Sequence, residues 1–264
     1  MNDFKNKTLT IAGSDSGAGA GVQADLKTFA SLGVYGTTVI TAVTAQNTIG
    51  VQGFRMMSGD FVVEQINSVM SDIKPRSVKT GMLGNSEIIN AVSNTLKSNG
   101  YENLIVDPVM VAESGDSLID ETAISSYINK LFPLSTLVTP NIYEAQKISK
   151  ISIDSEESLI RSGKLMLEMG AKNVLIKGGH WKEDVAEDFL FSGNEVIRLS
   201  EARIKTLNTH GTGCTLSAAI TAFLSKGDSL EFAVRKAKDY ITAGLKYSYS
   251  IGHGSSPVNH FHAK

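Results

Sequence analysis

The run Thr8-Leu9-Thr10-Ile11-Ala12, then Gly13-Ser14-Asp15-Ser16-Gly17-Ala18-Gly19-Ala20-Gly21, then residues 22–32, decides the fold class. The first run mixes apolar and β-branched residues and predicts a buried strand. The glycine-rich stretch breaks it. From 22 to 32 the apolar residues recur near period 3.6, which predicts a helix. Strand, glycine loop and helix open a βα unit, and the alternation continues along the chain. Residues 37–45, 77–80, 103–106, 136–138 and 173–177 read as strands, and 61–73, 88–96, 121–131 and 156–168 as helices between them. One stretch departs from this pattern: in 186–199 two strand-like runs flank Ser192-Gly193-Asn194, a hairpin signature. Helices at 212–224 and 230–247 follow. Alternation of this kind predicts an α/β fold whose mainly parallel central sheet carries helices on both faces, a three-layer αβα arrangement.

Composition narrows the function classes. The chain has 264 residues, and no linker, charge block or fixed-period repeat divides it, so 1–264 reads as one domain. Twenty-five Lys and Arg against 27 Asp and Glu leave no polybasic face, which argues against nucleic acid as the main ligand. A single cysteine forms no internal disulfide and points to a reducing compartment. No apolar run nears the roughly 18 residues that span a bilayer, and Met1 to Lys7 lack the apolar core of a signal peptide. A cytoplasmic protein with no membrane partner is the expectation.

In open α/β sheets ligands sit beyond the carboxyl ends of the strands, so the loops there are where chemistry is sought. The 13–21 loop leads into a helix whose amides can face an anion or polar ligand. Gly19-Ala20-Gly21-Val22-Gln23-Ala24 fits the loose dinucleotide fingerprint, but the next strand ends in Ala45-Gln46-Asn47, without the acidic residue that would hold a ribose. The P-loop pattern fails too, since no Gly-Lys-Ser/Thr follows. Asn208-Thr209-His210-Gly211-Thr212-Gly213-Cys214-Thr215 runs directly into an apolar helix. Its glycines let amides converge, and the helix start adds positive potential. That geometry suits a transferring phosphoryl group, or equally a plain capped helix. Cys214 stands where a helix N-terminus lowers a thiol pKa. Asp107-Pro108-Val109-Met110 and Asn141-Ile142-Tyr143-Glu144 each follow a strand; Asn141 and Glu144 share a helical face and can hold hydrated Mg²⁺ or close a capping box. Lys177-Gly178-Gly179-His180 offers a cation for a nucleotide phosphate. Gly252-His253-Gly254 reads as structural, and His260 and His262 as exposed near the terminus.

Taken together and in order, these motifs resemble one family. The segment from Gly13 through Gly19-Ala20-Gly21-Val22-Gln23-Ala24-Asp25-Leu26-Lys27-Thr28-Phe29 is similar to the start of the hydroxymethylpyrimidine/phosphomethylpyrimidine kinases of thiamine synthesis. Thr44-Ala45-Gln46-Asn47-Thr48, Lys79-Thr80-Gly81-Met82-Leu83, Asp107-Pro108-Val109-Met110, Thr139-Pro140-Asn141, Lys177-Gly178-Gly179-His180, His210-Gly211-Thr212-Gly213-Cys214-Thr215 and Gly252-His253-Gly254 agree as well, nearly end to end. The resemblance implies a ribokinase-like fold, a homodimer, and Mg·ATP-dependent phosphorylation of 4-amino-5-hydroxymethyl-2-methylpyrimidine and then of its monophosphate. It implies that Gln46 binds the pyrimidine, where an amide supplies both donor and acceptor, with Gly13, Asp25, Met82 and Val109 completing the pocket. Asp107 and Glu144 resemble the metal and phosphate region. Lys177, Thr209, His210 and Asn141 resemble the ATP contacts, and Gly211, Thr212, Gly213 and Cys214 the anion hole. Wider ribokinase relatives carry Asp as base at the Cys214 position; a thiol here accepts the hydroxyl proton or only positions it. Pyridoxal kinase is the close rival, and a non-catalytic binder of a thiamine precursor a more distant one.

Overall fold

Successive strand residues point to opposite sides of one sheet, and both sides are buried. Leu104 and Val106 pack with Ile66 and Val92, whereas Ile105 between them packs with Leu216, Ile220 and Ile241. Leu137 against Val138, and Leu175 against Val174 and Ile176, divide in the same way. Strands buried on two faces need helices on both. The computed structural model, which describes residues 5–110, 121–178 and 184–262, supplies them. The strands are β1 (Lys7–Ser14), β2 (Tyr35–Asn47), β3 (Gly50–Met56), β4 (Ser77–Thr80), β5 (Asn103–Val106), β6 (Leu137–Val138), β7 (Asn173–Gly178), β8 (Val185–Ser192) and β9 (Glu195–Ala202). They form one sheet in the order β3-β2-β1-β4-β5-β6-β7-β8-β9. Pairings from β2 through β7 are parallel, and β3, β8 and β9 join antiparallel at the two edges.

One face carries α2 (Gly59–Asp72), α3 (Ser86–Ser98), α4 (Glu121–Ser126), α5 (Ile142–Ser149) and α6 (Glu156–Glu168). The other carries α1 (Gly21–Ser31), α7 (Thr212–Ser225) and α8 (Leu230–Lys246), with Phe29 seated against Ala218 and Ala222. This is the expected three-layer arrangement, and the 186–199 hairpin forms as β8 and β9. Two elements depart from the sequence expectation. β3 carries no strand signature in the sequence, because Gly50 and Gly53 interrupt its pattern and, at the sheet edge, it buries little. α5 was foreseen only as a capping pair. The 121–131 helix tightens and widens at its end: Tyr127–Leu131 make a π-helical turn and Phe132–Leu134 a 3₁₀ turn, where Pro133 removes an amide donor. No helix among the described residues is long and apolar enough to cross a membrane.

Candidate active site

A cavity of about 690 Å³ opens at the carboxyl ends of the parallel strands. Gly13 comes from the end of β1, Gln46 from the end of β2, Met82 from beyond β4, Asp107 and Val109 from beyond β5, Asn141 and Glu144 from beyond β6, and Lys177 from β7. Thr209, His210, Gly211, Thr212, Gly213 and Cys214 enter from the start of α7. The strand topology therefore brings together every residue that the resemblance assigns to the site except Asp25. Gly179 and His180 lie outside the described residues.

At one end, a register shift between Ala45 and Gln46 turns the Gln46 side chain into the cavity. Its backbone is held on both sides by Ser16 Oγ, which donates to Gln46 O and accepts from Gln46 N, each at 2.8 Å. The Gln46 amide lies 3.5 Å from His210 Nε2, and the Thr44 hydroxyl 3.2 Å from Gln46 Oε1. His210, expected among the ATP contacts, thus stands beside the residue expected to bind pyrimidine. It also pairs with Asp15, whose carboxylate accepts from the amides of Gly17, Gly19 and Ala20. The 13–21 loop is an ordered turn built around that carboxylate. A Cβ on Gly19 would lie 2.2 Å from the His210 ring, so only glycine lets the two loops meet.

Asp25 needs correction. It is fully buried and does not line the cavity; its carboxylate accepts from Lys79 Nζ and from Thr10 Oγ1, each at 2.6 Å. Burial pushes its pKa up, against the opposing pull of Lys79. Both partners of this ion pair come from elements under the site, so Asp25 supports the pocket from behind. Lys79 is buried with it; burial disfavours its charge, but Asp25, Cys214 and Asp107 together hold it above the usual lysine value.

At the other end, Gly211 has a left-handed backbone (φ +76°), and a Cβ there would sit 1.9 Å from Gly19 O. Such an approach admits only glycine. Lys177 Nζ would be 3.3 Å from a Cβ on Gly213, which places the cation beside the glycine loop. Its partner is Asp107, at 2.9 Å. Burial disfavours the Lys177 charge, but Asp107 and Glu144 outweigh it and hold the ammonium pKa up at about 12. Burial would likewise raise Asp107, yet Lys177 and Lys79, with bonds from Lys177 and Ser217, hold it below the usual carboxylate value. Thr139 Oγ1 donates to Asp107 Oδ1, and Ser217 Oγ to Oδ2. Glu144 closes a capping box with Asn141: Asn141 N donates to Glu144 Oε2 at 2.7 Å and Glu144 N to Asn141 Oδ1 at 2.8 Å. It also lines the cavity, so the capping and ligand readings of this pair are compatible. Burial, with Asp107 adding to it, pushes Glu144 up to about 7 against Lys177.

The thiol also departs from expectation. Burial pushes Cys214 up to about 11; Lys79 and a bond from the Gly21 amide pull it down, while Asp25 and Asp107 push it further up. Desolvation is the largest of these influences, and it favours the neutral thiol.

Among the described residues no three His, Cys, Asp or Glu cluster as a self-sufficient metal cage. Asp107 and Glu144 do present two carboxylates to the cavity, the hard oxygen donors that suit Mg²⁺ when phosphates and water complete its shell. Several residues escaped the sequence reading. Asp15 looked like one small residue in a flexible turn. Ser217 carries no motif of its own, and Thr139 enters only as the first residue of Thr139-Pro140-Asn141, with no role. Lys238, on α8, reads as an ordinary helix-surface charge, yet it is buried, lines the cavity and pairs with Asp188 at 2.7 Å. Ile204, Ile241 and Leu245 continue from it as an apolar wall. His260 is not exposed: it is 3% accessible and bonds Thr215.

Comparison with known proteins follows the same line. Residues 15–259 match the family described as phosphomethylpyrimidine kinase. A hydroxymethylpyrimidine/phosphomethylpyrimidine kinase of Staphylococcus aureus is 46% identical over 255 residues, covering 96% of this chain and 92% of that protein. The thiamine biosynthesis bifunctional protein ThiED of Geobacter sulfurreducens is 47% identical over 97% of this chain, which spans only 52% of that longer protein. In structure, the pyridoxal kinase of Staphylococcus aureus in complex with AMP-PCP and pyridoxal superposes with a TM-score of 0.89 at 34% identity, over 97% of this chain and 94% of that one.

Proposed function

The chain belongs to the phosphomethylpyrimidine kinase family, and from that premise we propose how its cavity works. The protein is an ATP-using phosphotransferase of thiamine biosynthesis with a ribokinase-like fold, here read as one domain. It phosphorylates hydroxymethylpyrimidine on its hydroxymethyl group and then phosphorylates the monophosphate to the diphosphate. One observation carries this reading: a single cavity holds Gln46 at one end and, at the other, Lys177 beside the glycine loop of residues 211–214.

Gln46 offers donor and acceptor to an aminopyrimidine edge, and Met82 and Val109 give the ring apolar contact. Lys177 and the glycine loop receive the transferring phosphoryl group, whose charge spreads over oxygens that fixed amides can meet without reorganising. Asp107 and Glu144 would hold Mg²⁺, which when bound neutralises phosphate charge. Cys214 positions the substrate hydroxyl. Its base role requires the ionised thiol, which burial makes the minor form, and phosphoryl transfer relies mainly on alignment and charge neutralisation. Asp188, Lys238, Ile241 and Leu245 extend the cavity beyond the phosphate site and suit a nucleotide. Homodimer formation is supported by apolar side chains exposed on the edge hairpin, Tyr35, Val43, Ile49 and Phe54.

The second reading is pyridoxal kinase, favoured by the structural likeness to an enzyme with that ligand. ADP release measured with Mg·ATP on hydroxymethylpyrimidine, its monophosphate and pyridoxal separates them. Turnover of both pyrimidines with pyridoxal slow is expected. Turnover of pyridoxal alone would move the protein to pyridoxal salvage and make Gln46 a misleading marker.

A further inference from the structure

Residues 252–260, which the chemistry above does not use, touch the loops at both ends of the cavity. On the Gln46 side, Gly254 N donates to Thr48 Oγ1 at 3.2 Å. A Cβ on Gly254 would lie 1.9 Å from Thr48 O, and one on Gly252 would lie 2.4 Å from Thr48 Oγ1. The chain therefore lies flush against the turn that follows Gln46. Along the loop that opens α7, His210 N donates to Ser256 O at 3.1 Å, and His210 forms a parallel bridge with Pro257. The His260 ring hydrogen-bonds Thr215 Oγ1 at 3.0 Å, one residue past Cys214. The segment is itself fixed to α8, where Asn259 N donates to Gly244 O and Tyr240 Oη to His260 O. Ser256, Val258 and His260 are buried.

We propose that residues 252–260 form a positioning strap that sets the distance between the pyrimidine loop and the anion loop, through Gly254 on Thr48 and His260 on Thr215. The proposal rests on the kinase reading of the cavity. Neither residue meets the reacting atoms; each acts through its partner. The arrangement explains why glycines bracket His253: any side chain at Gly254 would push the Thr48 carbonyl, and Gln46 with it. Burial first, then Lys27 and His262, lower the His260 pKa to about 4, so the ring braces α7 without placing a charge beside the phosphate site. Alignment errors near 1 Å suffice to cost about a hundredfold in rate, so a brace at this point bears on turnover rather than on folding alone.

The test is steady-state ADP release with hydroxymethylpyrimidine and ATP each varied, on the full chain, with urea midpoints in parallel. Gly254→Ala is expected to raise KM for the pyrimidine about tenfold and leave KM for ATP within about twofold. His260→Ala is expected to lower kcat about tenfold with the pyrimidine KM kept, and His260→Gln, which restores a polar group for Thr215, to recover most of it. Losses that scale all constants alike, or that follow the urea midpoint across variants, would overturn the strap and leave a stabilising tail. If Gly254→Ala does not fold, Thr48→Ala removes the acceptor without adding bulk and must show the same pyrimidine-selective KM rise; its absence also overturns the proposal. A wild-type enzyme inert on the pyrimidine but active on pyridoxal would overturn the substrate reading instead, and the strap is then read from the same KM split with pyridoxal.

Discussion

His210 Nε2 lies 2.9 Å from Asp15 Oδ2, so one side-chain pair ties the loop that opens α7 to the loop that opens α1. The same carboxylate accepts from Gly17, Gly19 and Ala20 amides at 2.8, 3.0 and 2.8 Å. Burial raises its pKa, but His210 and these amides outweigh that and hold it below the usual aspartate value.

Asp15→Asn keeps the shape but removes the charge and turns one acceptor into a donor facing an N–H. We expect a loss of about 2–3 kcal/mol in urea unfolding, the cost of a buried donor left facing a donor. Because His210 also stands 3.5 Å from the Gln46 amide, the pyrimidine KM should rise more than the ATP KM. A urea midpoint equal to that of wild type would refute the organising role of Asp15.

Cys214 gives a sharper choice. With its thiol pushed up to about 11, the ionised form that a base role needs is disfavoured, and the proposed positioning role can be told from it. Cys214→Ser, which retains a polar group of similar size, is then expected to keep kcat within about tenfold, while Cys214→Ala loses about a hundredfold, as for removal of one group that aligns the reacting atoms. Equal collapse of both variants would restore the base assignment. ATP binding should survive in each.

How much of this was legible in the sequence follows from where each signal lies. The glycines at 19 and 211 stand out as residues, and the reason for them, that a Cβ at either would lie about 2 Å from the His210 ring or the Gly19 carbonyl, emerges only when distant loops meet. Strand runs such as Leu104-Ile105-Val106 announce burial on two faces by being apolar throughout. β3 gave no such signal, since an edge strand need bury only one side and Gly53 weakens even that. The fate of Cys214 was beyond local reading: a helix start predicts a lowered pKa, but desolvation and the charges of Lys79, Asp25 and Asp107, all distant in the chain, act on it as well. Asp25 shows the same limit, because a motif match locates a residue along the chain and not whether its side chain faces the cavity or the layer behind it.

The Lys79–Asp25 pair tests that last point. Both side chains are 0% accessible and their charges meet at 2.6 Å. Removing one partner strands the other, so Lys79→Met and Asp25→Leu should each cost about 3–5 kcal/mol, while the double variant recovers much of the loss because no buried charge remains. If Asp25 were a direct substrate contact, Asp25→Leu would raise the pyrimidine KM without a comparable stability loss, and the double variant would not regain stability. Chemical denaturation of the three variants distinguishes the two outcomes.

Glu144 links stability to the site's chemistry. Its carboxyl sits at about 7 in the folded protein, against an ordinary value of 4.5. The folded state therefore binds the proton more tightly than the unfolded chain does. The stability this supplies is fully present below pH 4.5 and is lost as pH rises through about 7. Glu144→Gln fixes the neutral form and can still accept the Asn141 amide. In EDTA, which keeps cations off the carboxylates, the variant should exceed wild type by about 2 kcal/mol at pH 8 and match it within about 1 kcal/mol near pH 5. Its kinase activity should fall nonetheless, because one of the two carboxylates proposed to hold Mg²⁺ is gone. A stability difference that does not change with pH would mean that Glu144 is ionised throughout, and that Lys177 outweighs its burial.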